Sequence, residues 1–87
     1  MIDPNILQIY SKIQEGDSAL KVIREALDMS QQEFASYIGV STTSVSRWER
    51  GASPMTMTIK QTLKFMELLR RIGMTLDNLP DDMGPTK

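Results

Sequence analysis

Five polar side chains, Thr42, Thr43, Ser46, Arg47 and Arg50, fall at intervals that place them on one side of a short helix. Their chemistry is that of docking rather than bond breaking. Hydroxyls donate and accept, threonine methyls add small apolar contacts, and planar guanidinium forks match anionic groups and flat hydrogen-bonding edges. A reaction centre would need a nucleophile with its base, or a ligand cluster, and the 87-residue chain has neither cysteine nor histidine. The serines between Ser41 and Ser46 therefore lack an activating partner, and no enzyme activity, metal or cofactor is expected.

The elements that must position those side chains are written in the surrounding stretch, SQQEFASYIGVSTTSVSRWERG, residues 30–51. Ser30 and Glu33 form an S-x-x-E capping box that opens one helix, and Gly39 ends it. Ser41 opens a second helix of about three turns, which Gly51 terminates. Phe34, Ala35 and Ile38 recur at helical spacing before the turn, Val45 and Trp48 after it. Ala35 is small enough for a close crossing, and Val40 and Val45 fill the angle between the axes. Trp48 is read as core and not as a stacking platform, because of its spacing from Val45.

Three further helices complete the reading. Asp3 and Pro4 are a cap followed by a helix-starting proline, and Ile6, Ile9, Tyr10 and Ile13 continue at helical spacing to Gly16. Asp17 or Ser18 opens the next helix, with Leu20, Ile23 and Leu27 as its apolar stripe, and Met29 plugs the connection. After Gly51, Ser53 and Pro54 predict one long helix to Gly73, with Met55, Ile59, Leu63, Met66 and Leu69 as its core face. Phe65, Leu68 and Ile72 are then surplus apolar surface, which makes them candidate dimer contacts alongside Ile9 of the N-terminal helix, and the sequence does not choose between the two helices. The segment T-L-D-N-L-P suggests one last turn. The expected organisation is an extra N-terminal helix over 1–16, a helix-turn-helix domain over 17–73 and a flexible acidic tail over 74–87, all-α throughout.

The pattern Q-x-x-x-A-x-x-x-G-x-x-x-x-x-V-x-x-W-E, from Gln31 to Glu49, resembles the phage-repressor helix-turn-helix family, the Cro and lambda-repressor-like proteins. The resemblance extends from about Leu20 to the mid-sixties and implies a domain of about five helices. It implies that residues 42–50 form a recognition helix lying in the major groove of double-stranded DNA. Thr42, Thr43, Ser46 and Arg47 would then contact bases, Arg47 with its fork on guanine. Gln31, Ser44, Arg50, Ser53, Thr56 and Lys60 would hold phosphates and position the protein. Arg24 and Glu49 resemble a structural ion pair of the family.

Charge complicates this reading, because the formal net charge is −1 and affinity for a polyanion comes largely from cations. Its distribution is more favourable: Asp77, Asp81 and Asp82 gather near the C-terminus, whereas residues 52–76 carry Lys60, Lys64, Arg70 and Arg71 against Glu67 alone. Weak non-specific binding is expected. So small a domain would gain from association, and the leading expectation is a cytoplasmic, homodimeric transcription regulator, a repressor acting on a palindromic operator. No apolar run is long enough for a membrane span, and the N-terminus does not resemble a secretory signal. The alternative is an antitoxin-like interaction module whose partner is a toxin or other protein, suggested by the acidic balance, the first 16 residues and seven methionines.

Overall fold

The computed structural model describes residues 4–86, so the expected cap at Asp3 lies outside the described residues. Five α-helices follow in order: α1 Pro4–Gln14, α2 Ala19–Ala26, α3 Gln31–Ile38, α4 Thr42–Arg50 and α5 Ile59–Arg71. A 3-10 turn spans Leu76–Asn78, and the described residues contain no strand. The helix count and the all-α class agree with the sequence reading.

Helix starts are fixed by side chains that take up backbone N–H groups left free in a first turn. Ser18 Oγ accepts from the Lys21 amide at 3.3 Å, which makes Ser18 the cap of α2. At α3 the Glu33 amide donates to Ser30 Oγ at 3.0 Å while the Ser30 amide donates to Glu33 Oε1 at 2.9 Å. Hydrogen bonding to the carboxylate, first from the Ser30 backbone amide and then from the Ser30 side chain, holds the Glu33 carboxyl below its ordinary pKa. A depressed carboxylate stabilises the fold fully above its unfolded pKa and loses that effect as pH falls through the folded one, so the box is intact at neutral pH.

Among the described residues, one non-glycine backbone position is left-handed. Asp28, just past α2, has φ 58°, a left-handed conformation that glycine enters without a Cβ clash. Asp28→Gly should therefore stabilise the protein by about 0.5–1 kcal/mol, read as a raised midpoint in urea denaturation; an unchanged or lowered midpoint would refute the assignment.

The core lies where α2, α3, α4 and α5 converge. Phe34 of α3 meets Phe65 of α5 edge to face with ring centroids 6.0 Å apart, and Leu20, Ile23, Val45, Leu68, Leu69 and Met74 are fully buried with them. α1 packs on α2 and inserts Ile9 into the same core.

The start and inward face of α5 are corrected first. Pro54 does not start α5: residues 54–58 lie outside any helix, and the helix begins after Thr58, whose hydroxyl and Gln61's carboxamide form a second capping box at 3.1 and 2.9 Å. Once the helix starts at Ile59, Phe65, Leu68, Leu69 and Ile72 face inward. Phe65, Leu68, Ile72 and Ile9 therefore fill the chain's own core and are not available as dimer contacts. Of the stripe assigned to the core, Leu69 is buried as expected and Met55 and Met66 are half-buried, but Ile59 and Leu63 are 83% and 54% exposed. Both stripes satisfy a 3.6-residue period, and only the neighbouring helices choose between them.

The second correction concerns the tail. Met74, Met83 and Gly84 are buried, and the chain end folds back on α2. The Met83 carbonyl accepts from the Leu20 amide at 3.0 Å and from Ser18 Oγ at 3.1 Å, and the Thr86 amide donates to the Gly16 carbonyl at 3.0 Å. The tail thus satisfies an amide that the first turn of α2 leaves unpaired.

Candidate nucleic-acid interface

The turn between α3 and α4 occupies three residues, Gly39 to Ser41. Gly39 has φ 92°, and its amide donates to the Ala35 carbonyl at 2.8 Å, closing α3 in a left-handed cap that an L side chain would strain. Ser41 then caps α4, its Oγ accepting from the Ser44 amide at 3.0 Å and donating toward Ser44 Oγ at 2.9 Å. Gln61 reaches across from α5, Nε2 to the Gly39 carbonyl at 3.0 Å, and ties the first turn of α5 to the turn itself.

With Val45 and Trp48 buried against α3 and α2, the opposite side of α4 points outward. Thr42, Thr43 and Arg47 are exposed there, and Ser46 is half-buried beside them. Ser44 is half-buried and engaged with Ser41, while Arg50 is exposed with Nε donating to the Ser46 carbonyl at 3.3 Å. Arg47 makes no side-chain hydrogen bond or ion pair among the described residues. This is an outward ridge of two threonines and a guanidinium that bears no structural load.

Gln31, Glu49 and Arg24 form the support beneath that ridge. Arg24 Nε donates to Glu49 Oε2 at 2.6 Å and Nη2 to Oε1 at 3.1 Å, a bidentate pair joining α2 to α4, while Nη1 donates to the Met29 carbonyl at 2.8 Å. The hydrogen bond to Glu49 raises the Arg24 pKa still further, against the opposing effect of burial. Gln31 Nε2 donates to the same Glu49 Oε1 at 3.0 Å. One carboxylate thereby orients the first residue of α3, leaving Gln31 one amide proton and its carbonyl for other contacts.

The remaining expected phosphate contacts lie in the connection to α5 and in its first turn. Ser53 is half-buried in the loop after Gly51, and Thr56 and Lys60 are exposed further along. A strut missed by sequence reasoning braces α5 against α3: the Tyr37 hydroxyl donates to Glu67 Oε2 at 2.7 Å, with Lys64 Nζ and Arg71 Cζ 5.4 and 5.3 Å from the ring centroid. The bond to Glu67 raises the Tyr37 pKa. The Thr58–Gln61 box was also passed over, although T-x-x-Q is legible as a cap signal. The described residues hold no group of acidic side chains placed to bind a metal ion, and none of their helices is long and apolar enough to cross a membrane.

Two tightly packed helices around a left-handed glycine, the second presenting polar side chains outward, define a helix-turn-helix DNA-binding domain. The helix-turn-helix family model matches residues 20–68, more than half of the chain, and the protein belongs to this Cro and lambda-repressor-like family. It is a DNA-binding helix-turn-helix regulator. No curated protein and no solved structure matches the chain.

Proposed function

We propose that the protein is a homodimeric transcriptional repressor that reads a palindromic operator with α4 in the major groove. The observation that carries this reading is the outward ridge of Thr42, Thr43 and Arg47 on a helix whose other side is locked into the core. Thr42 and Thr43 supply hydroxyls and methyls for base edges, Ser46 lies alongside, and Arg47 places its fork on guanine. The α3 N-terminus with Gln31, together with Ser44, Arg50, Ser53, Thr56 and Lys60, holds the flanking phosphates. Repression follows from occlusion of a promoter. Selection of bound sequences from random duplexes tests the reading, since a palindromic product is expected and an unstructured pool would refute it.

Dimerisation through the first turns of α5 is part of the proposal. Ile59 and Leu63 form an exposed apolar stripe on the element that Gln61 joins to the turn, so a two-fold axis there would hold both recognition helices close to the same DNA face. Ile59→Glu combined with Leu63→Glu should give a monomer in sedimentation equilibrium and weaken operator binding by at least about ten-fold, with helicity unchanged. A dimer that persists would place the axis elsewhere.

A second reading, an antitoxin-like module that holds a toxin or other protein partner, rests on α1, where Leu7 is 56% exposed in a helix outside the family-matched residues.

A further inference from the structure

The acidic end of the chain is fastened beside the segment that leaves α4. A Cβ at Gly84 would lie 2.9 Å from Gly51 Cα and 3.2 Å from the Trp48 carbonyl oxygen, so tail backbone rests directly on the C-terminal cap of the recognition helix. The bonds from Leu20 and Ser18 to Met83 and from Thr86 to Gly16 hold it there. Asp82 Oδ1 accepts from the Gly84 amide at 2.9 Å, which fixes that carboxylate within the clasp. Asp81 and Asp82 thereby line one shallow depression with Gly51, Ser53, Pro54 and Met55.

We propose that Asp81 and Asp82 are affinity- and specificity-setting residues: fixed negative charges that repel DNA phosphates beside Ser53 and restrain binding driven by the backbone alone. The inference rests on the proposed docking of α4. A phosphate held at Ser53 would lie within about one Debye length of both carboxylates, roughly 10 Å at 0.1 M salt, where like charges on partly solvated groups still repel. The backbone attraction from Arg50 and Lys60 is partly cancelled at its source, so base contacts from α4 carry a larger share of the retained affinity. The bonds to Met83 and the Gly84 amide's bond to Asp82 hold the Asp82 carboxylate in place as a duplex approaches, with Asp81 its immediate chain neighbour.

The test compares wild type, Asp81→Asn/Asp82→Asn and, as a control for loss of charge elsewhere on the tail judged per charge removed, Asp77→Asn, on a labelled mixed-sequence duplex of about three helical turns. Asparagine keeps the Oδ1 acceptor for the Gly84 amide, and matching melting temperatures check that the clasp is intact. The double variant should bind about five-fold more tightly at about 50 mM salt, with the gain shrinking toward about 200 mM as screening increases, and Asp77→Asn should change little. Affinity within two-fold of wild type, an equal gain per charge from Asp77→Asn, or a gain independent of salt would each overturn the inference. Arg47→Ala added to the double variant separates the two levels of argument: a loss of binding to the operator supports α4 docking whatever the tail does. Failure of wild type and double variant to retard any duplex would overturn the docking and the inference together.

Discussion

Alanine at Arg47 should weaken binding to the protein's own promoter duplex by about ten- to a hundred-fold, the equivalent of roughly 1–3 kcal/mol for a bidentate pairing with guanine. The fold should not change. Arg47 is exposed and unpaired among the described residues, so its removal breaks no internal bond, and circular dichroism and the melting temperature should match wild type. Arg47→Lys is the informative companion, because lysine keeps the charge but lacks the planar fork. If Arg47 reads a base, lysine should recover little operator affinity while leaving the salt dependence nearly intact. If it only holds phosphate, lysine should recover most of the affinity. Operator binding by Arg47→Ala equal to wild type in gel retardation would remove the residue from the interface.

Loss of Glu49 should act on stability instead. Its carboxylate is buried under α4 and accepts two bonds from Arg24 and one from Gln31. Glu49→Ala would leave the guanidinium with the Met29 carbonyl alone and cut Gln31 loose. Removing one member of a buried pair costs about 3–5 kcal/mol, and the lower end applies here because Arg24 keeps some contact with water. For a small domain with total stability of about 5–15 kcal/mol, that is a large fraction, readable as a shifted urea midpoint. Glu49→Gln should fall between alanine and wild type, since its carbonyl still accepts one bond. Arg24→Met with Glu49→Leu should recover much of the loss, as an apolar pair leaves no buried charge behind. A cost below about 1 kcal/mol for Glu49→Ala would show that the pair is not structural.

The two outcomes diverge because the same helix does two jobs on two faces. Arg47 and Glu49 are two residues apart, so about 200° of helix rotation separates them, one toward solvent and one toward α2. A change at either position would move operator affinity in a crude assay, and only paired measurements of stability and binding tell them apart.

The helix-turn-helix unit was legible in the sequence because its determinants are local. The Ser30–Glu33 box, the left-handed Gly39, the Ser41 cap and the spacing of Phe34, Ala35, Ile38, Val45 and Trp48 each act across a few residues, and each stands as expected. The outward side of α4 follows from the same periodicity. The Arg24–Glu49 contact came only through family resemblance, since nothing local links residues 25 positions apart.

What tertiary structure alone decided was which of two equally periodic stripes on α5 faces inward, and where the tail goes. Ile59, Leu63 and Met66 satisfy the helical period as well as Phe65, Leu68 and Ile72 do, but only the second set meets Phe34 and the rest of the core. Sequence period fixes the angle between two faces and not which one has a neighbour. The tail's composition suggested mobility, yet Met83 is drawn onto Ser18 at the start of α2, a partner 65 residues earlier in the chain that no local rule could signal. Local rules set helix starts, stops and faces; burial is a property of the assembled chain, because it depends on which surfaces arrive together.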